Sequence, residues 1–156
     1  MASTTAAYSI PRAWISSGVV KQFLIVDDNP ADARLLCEAL AEFGVEDRVF
    51  LASNASEALA TLEAGRFWPY LVLVGININN DSGFSVLERL RKTERFHDVP
   101  IIAVVDSQDP AVIHRAYENQ ANACISKPTT YSEWVLLAES IVNFWSRVLS
   151  PRSPKL

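Results

Sequence analysis

The sequence predicts a doubly wound α/β sandwich, with a five-stranded parallel sheet and helices on both faces. Three observations predict it. Short apolar runs recur along the chain, helical segments with legible ends separate them, and the connections between them are short. None of the runs alternates apolar with polar residues, and a strand that is apolar throughout is buried on both faces, as in parallel sheets covered by helices. Right-handed crossovers then place helices on both sides.

FLIV at 23–26 is the first strand. Asn29 stands ready to cap the helix that follows, and Pro30 takes its first position, where no amide hydrogen is needed. That helix carries Leu36, Leu40 and Phe43 on one face and stops at Gly44. A weaker strand spans 48–52. The second helix runs from about 53 to 65, with Ala55, Ala58, Leu59 and Leu62 inward. YLVLV at 70–74 is the third strand, and the helix after it, from about 84 to 92, buries Phe84, Leu87 and Leu90. IIAVV at 101–105 is the fourth strand, and Asp109-Pro110 repeats the cap-then-proline start. ACI at 123–125 is the fifth, and Thr130-Tyr131-Ser132-Glu133 opens the last helix in a capping-box pattern that continues to about 149.

With 156 residues, 49% hydrophobic and 21% charged, the chain suits one domain with a substantial core. The expected division is a domain over 21–149, an N-terminal extension over 1–20 and a C-terminal tail over 150–156. A net charge of -4 offers no electrostatic footprint for nucleic acid. The densest basic group, Arg89, Arg91, Lys92 and Arg95, reads as a solvated helix end. Cys37 and Cys124 are too few for a disulfide framework or a zinc site and read as reduced, buried thiols. The N-terminus lacks the charged and apolar regions of a secretory signal, and no apolar run approaches the ~20 residues of a membrane span. A cytoplasmic protein with no nucleic-acid or membrane partner is expected.

In doubly wound folds, chemistry sits at the carboxyl ends of the strands. The first strand exits in Asp27-Asp28, two adjacent carboxylates that repel and need compensation. Either one caps a turn while the other is solvated, or the pair holds a hard divalent cation. The fifth strand exits in Ser126-Lys127-Pro128, which makes Lys127 the expected counter-charge; a cis Pro128 would aim it inward.

The run IVDDNPADARLLCEAL, the spacing to ISKP and the five-fold alternation of strand and helix resemble the receiver domain of response regulators, a (βα)5 flavodoxin-like fold. The DDNPAD opening, the proline-tyrosine entry to the third strand and the late Asn-Phe-Trp look most like single-domain regulators paired with phytochrome kinases. The resemblance implies a place in two-component phosphorelay signalling, with a sensor histidine kinase, such as a phytochrome, as partner. It also implies an aspartate on the third strand that accepts a phosphoryl group. Here that position is Gly75, which has no side chain to form an acyl phosphate. The family's Ser or Thr at the end of the fourth strand corresponds to Val105, which donates nothing. The aromatic three residues before the lysine corresponds to Cys124. Three losses along one signalling route predict a receiver that does not use phosphorylation.

By the same resemblance, Asp27 and Asp28 hold a magnesium ion, the main-chain carbonyl of Asn77 completes the metal site, and Lys127 contacts the phosphoryl group. Without the third carboxylate, no cofactor, or at most weak Mg2+ binding through Asp28 and Asn77, is expected. Lys127 is expected to reach over Gly75 and pair with one of the aspartates. A second reading keeps phosphorylation but moves it to Asp106 or Asp81, on loops at the same edge. A nucleotide-binding flavodoxin-like domain is disfavoured because no glycine-rich loop follows the first strand. His97 and His114 have no nucleophile placed beside them, so no enzyme activity is expected.

On the last helix, Trp134, Leu137, Ile141, Phe144 and Val148 form one apolar stripe, and Val135, Ala138, Val142, Trp145 and Leu149 form a second beside it. Together they span roughly 180°, whereas a helix on a sheet needs an arc of about 100°. The excess is either covered by the tail 14–20 or is a homodimer interface built on Val135, Val142, Trp145 and Leu149.

Overall fold

The computed structural model describes residues 22–45, 49–64, 69–77, 80, 82–145 and 147. In order they form β1 (Gln22–Val26), α1 (Pro30–Ala41), β2 (Val49–Ala52), α2 (Ala55–Glu63), β3 (Pro69–Ile76), α3 (Ser82–Lys92), a 3-10 turn (Glu94–Phe96), β4 (Ile101–Val105), α4 (Pro110–Glu118), β5 (Ala123–Ser126) and α5 (Tyr131–Trp145). All strand pairs are parallel and their order is β2-β1-β3-β4-β5, the doubly wound sheet that the sequence predicts. The order turns back between β1 and β3, and that switch point is where such sheets open a crevice.

Successive strand residues feed opposite faces, which is why the apolar runs are unbroken. Leu24, Val26, Val72, Val74, Ala103 and Val105 pack under α2, α3 and α4. Phe23, Ile25, Leu71, Leu73, Ile102 and Val104 pack under α1 and α5. Every residue of β3 is buried.

The caps behave largely as the sequence predicts. Asn29 accepts hydrogen bonds from the amides of Ala31 and Asp32 (3.0 and 3.3 Å) ahead of Pro30, and Asp109 accepts one from Ala111 (2.9 Å) ahead of Pro110. Gly44 has φ 75°, the left-handed backbone that ends a helix cheaply with glycine. At α5, Thr130 accepts from the Glu133 amide (3.2 Å), but the Glu133 carboxylate returns to the amide of Thr129 (2.8 Å), one residue before the box predicts.

Three expectations need correction. The Lys127–Pro128 bond is trans. Arg91 is not a solvated side chain: it donates to the carbonyls of Val99 (2.6 Å), His97 (2.9 Å) and Gln120 (2.9 Å) and to Asn122 Oδ1 (2.8 Å). On α5, Val142 is 5% exposed and Ala138 fully buried, so neither has surface to give a partner, while Phe144, on the other stripe, is 58% exposed. The reason is that α5 packs along α1 as well as on the sheet, and two neighbours bury a wider arc than one. Val135 and Trp145 are half-buried against the same core. Leu149, Val148 and the tail 14–20 lie outside the described residues.

Candidate functional site: the pocket over Gly75

At the carboxyl edge of the sheet, β1, β3 and β5 deliver residues to one pocket. Gly75 is the second-last residue of β3 and sits opposite Val104 of β4. Asp27 follows β1 directly, its amide donating to the carbonyl of Ala52 (3.0 Å). Its Oδ1 accepts from the amide of Asn29 (2.9 Å), a local turn that fixes where the carboxyl group points. It points over Gly75. A β-carbon on Gly75 would fall 2.8 Å from Asp27 Oδ1 and closer still to Cγ and Oδ2. The Asp27 side chain, 6% exposed, therefore occupies the volume in which any side chain at position 75 would start. The cavity that remains, lined by Ile25, Asp27, Leu36, Gly75, Val104 and Trp134, measures about 10 Å³, which is room for about one water molecule and not for a phosphoryl group.

Lys127 is held by its amide, which donates to the carbonyl of Val105 (2.8 Å) and extends the β4–β5 pairing by a residue. Its side chain is 8% exposed, and its ammonium lies 2.8 Å from Asp32 Oδ2, 3.4 Å from Asp27 Oδ2 and 3.3 Å from Asn77 Oδ1. An ammonium has three protons, and three acceptors surround this one. The lysine does pair with an aspartate as the sequence suggests, but the nearer partner is Asp32 in the first turn of α1, which sequence reasoning missed. A charge count would have found it, since a third acid follows Asp27 and Asp28 within one helical turn of the cap.

Asp28 is engaged as well. Asn77 Nδ2 donates to its Oδ1, and the Ser82 hydroxyl lies 2.8 Å from its Oδ2 and 2.7 Å from Asn80 Oδ1. The Asn77 amide has one workable orientation, because turning it would aim its NH2 at Lys127 and its oxygen at a carboxylate. In this arrangement the carboxylates are engaged with protein groups: Asp28 meets two donors, Asp27 is bonded to Asn29 and Lys127, and Gly75 has no side chain to add a ligand. Among the described residues, no three His, Cys, Asp or Glu side chains gather in a metal-binding group.

Burial raises the pKa of Asp27 above its ordinary 3.8; the Asn29 amide and the charge of Lys127 oppose the rise, and Asp32 adds to it. Burial alone would lower Lys127, but the Asp32 hydrogen bond and the charges of Asp27 and Asp32 outweigh it, so its pKa stands above 10.5. The ammonium is thus fully charged at neutral pH.

The other sequence-predicted positions lie around this pocket. Val105 is 3% exposed and packs in the core beneath α2–α4, offering no hydroxyl. Cys124 is half-buried, and burial raises its thiol pKa; its amide donates to the Tyr117 hydroxyl (3.1 Å). Cys37 is half-buried too, its thiol pushed up to about 11 by burial and then by the Glu38 charge. Asp106 is exposed just beyond β4 rather than at the end of β3, and Asp81 lies outside the described residues. His97 contacts the carbonyl of Arg91 and His114 pairs with Glu118 along α4, so neither histidine faces the pocket.

A five-stranded parallel sheet with an acidic pair after β1 and a lysine after β5 defines a response-regulator receiver, and residues 23–138 match the response regulator receiver domain family. The chain belongs to that family, which is a signalling module. It is 28% identical over 126 residues to the probable methanogenesis regulatory protein FilR2 of Methanothrix harundinacea, covering 78% of this chain and 81% of that protein. It is 23% identical over 130 residues to response regulator Rcp1 of Synechocystis, covering 80% and 88%. Among solved structures, the phosphorylated cyanobacterial phytochrome response regulator RcpA superposes with a TM-score of 0.75 at 28% identity, over 85% of this chain and 99% of that one. The Mn2+-bound form of Rcp1 gives 0.72 at 22% identity over the same shares, a likeness of fold alone. No helix among the described residues is long and apolar enough to cross a membrane.

Proposed function

We propose that this chain is a receiver that acts without phosphorylation, as a cytoplasmic protein-interaction module for a sensor histidine kinase such as a phytochrome. The observation that carries the reading is the pairing of Gly75 with Asp27: the position for covalent chemistry has no side chain, and a neighbouring carboxylate fills its space. The likeness to the phytochrome regulator RcpA supports the choice of kinase class. Docking would use α1 and the loop after β5, which keep their helix, cap and lysine. The functional unit is taken as 21–149, between the extension 1–20 and the tail 150–156.

Incubation with acetyl phosphate and Mg2+, followed by intact mass, tests it. The expected spectrum is unchanged; gain of one phosphoryl group, at Asp106, Asp81 or elsewhere, would overturn the reading. Self-association belongs to the same proposal, now resting on the outer side of α5, where Leu136 is 62% and Phe144 58% exposed. Large exposed apolar side chains of this kind anchor interfaces.

A further inference from the structure

From α1 to α3 the pocket side chains form an unbroken chain. The Asp32 carboxylate meets the Lys127 ammonium (2.8 Å), Lys127 meets the Asn77 amide oxygen (3.3 Å), the Asn77 NH2 meets Asp28, and Asp28 meets the Ser82 hydroxyl (2.8 Å). Asp32 stands in the first turn of α1 and Ser82 is the first residue of α3. Those helices cover opposite faces of the sheet, so the chain runs over its edge and joins the two helical layers. The α1 end suits its charge, because the first turn of a helix carries partial positive charge that favours an acid such as Asp32. At the centre, Lys127 is 8% exposed and Asn77 uses both ends of its amide, so neither has a group left over for an incoming ligand. Removing Lys127 would leave Asp27 and Asp32 facing each other in a part-buried pocket without the cation between them, a cost that partial burial enlarges.

We infer that Lys127 and Asn77 form a permanent strut between α1, the N-terminus of α3 and the β5–α5 loop, holding the sheet edge in one arrangement that no phosphoryl group or metal sets. This deepens the proposed function and rests on it: a module that no longer switches presents its α1 face preformed. The lysine acts as a positioning residue, through Asp32 and Asn77.

Amide hydrogen exchange, followed residue by residue by NMR, tests the strut. In Lys127→Met, exchange across α1 (Pro30–Ala41) and at Thr129 and Thr130 should accelerate roughly tenfold, while α2 (Ala55–Glu63), whose hydrogen bonds run to Ser53, Asn54 and Arg89 and not to Lys127 or Asp32, stays within about twofold of the parent. Asp32→Asn should accelerate the same amides, and the double variant should go no further than Lys127→Met. An equal acceleration in α1 and α2, or none in α1, would overturn the inference. Should Lys127→Met fail to fold, Asp32→Asn decides alone by the same comparison. The outcomes separate cleanly from those of the preceding section: phosphoryl gain by the parent protein would sink the proposed function, whereas unchanged α1 exchange would sink the strut alone.

Discussion

The carboxyl group of Asp27 rests on the backbone of Gly75, in contact with the place where any larger residue would put its first side-chain atom. The two positions are 48 residues apart in the chain and adjacent at the sheet edge, one after β1 and one at the end of β3. A glycine at 75 leaves space at the sheet edge, and Asp27, turned by its bond to the Asn29 amide, takes up most of it, leaving about 10 Å³ among Leu36, Val104 and Trp134. Glycine at 75 and the inward carboxyl at 27 are therefore one arrangement and should respond to substitution together.

Gly75→Ala should cost about 1–3 kcal/mol, as a group forced into a filled space does. Asp27 would have to swing away, lengthening its contact with Lys127. If so, Asp27→Ala in the same chain should recover most of the cost, because the obstruction is gone. Urea unfolding of the parent, both single variants and the double gives the coupling; purely additive costs would show that the two residues are independent.

Arg91→Ala should cost about 1–3 kcal/mol, since it strands the part-buried carbonyl of Val99 beside the start of β4 and removes three further hydrogen bonds. Arg91→Lys should rescue little of this, because a guanidinium fans its donors in a plane and an ammonium does not. Urea midpoints of the two variants should nearly coincide. A lysine variant as stable as the parent would mean that charge, not geometry, is what the site needs.

The fold was legible because its signals are local. Unbroken apolar runs reported strands buried on both faces, and Asn29-Pro30 and Asp109-Pro110 reported helix starts. The vacancy at Gly75 was legible for the same reason. What was not legible depends on packing between distant segments. The wide apolar arc of α5 looked like an interface because a sequence does not reveal that α1 lies alongside it and buries Val142. The choice of Asp32 over Asp27 by Lys127, and the turn of the Asn77 side chain toward Asp28, follow from distances of a few tenths of an ångström that no spacing encodes.

The pocket predicts an unusual pH profile. Lys127 has a folded pKa above 10.5, so the stability it contributes is fully present below 10.5 and lost as pH rises through the folded value. Thermal melts of Lys127→Met should lack that alkaline loss. Asp27 behaves oppositely to an ordinary paired carboxylate. Its folded pKa is raised, so its contribution is fully present below 3.8 and lost as pH rises through the folded value, which makes the ionised group a cost near neutrality. Asp27→Asn should thus melt no lower than the parent at neutral pH, and its advantage should shrink as pH falls toward 3.8. A variant that melts well below the parent at neutral pH would show that the 3.4 Å contact with Lys127 outweighs burial.

Phe144 and Val142 separate association from stability on a single helix. Phe144 is 58% exposed with its ring 5.4 Å from that of Trp145, while Val142 is 5% exposed in the core under α5. Phe144→Glu should change unfolding free energy by less than about 0.5 kcal/mol, as surface changes do, and should shift the mass measured by light scattering from dimer to monomer. Val142→Ala should cost about 1–2 kcal/mol through lost burial and leave that mass unchanged. If both variants and the parent scatter as monomers, the exposed side of α5 serves some other partner. If Val142→Ala alone dissociates the protein, the dimer depends on the packing of α5 onto α1 rather than on the side chains α5 presents to solvent.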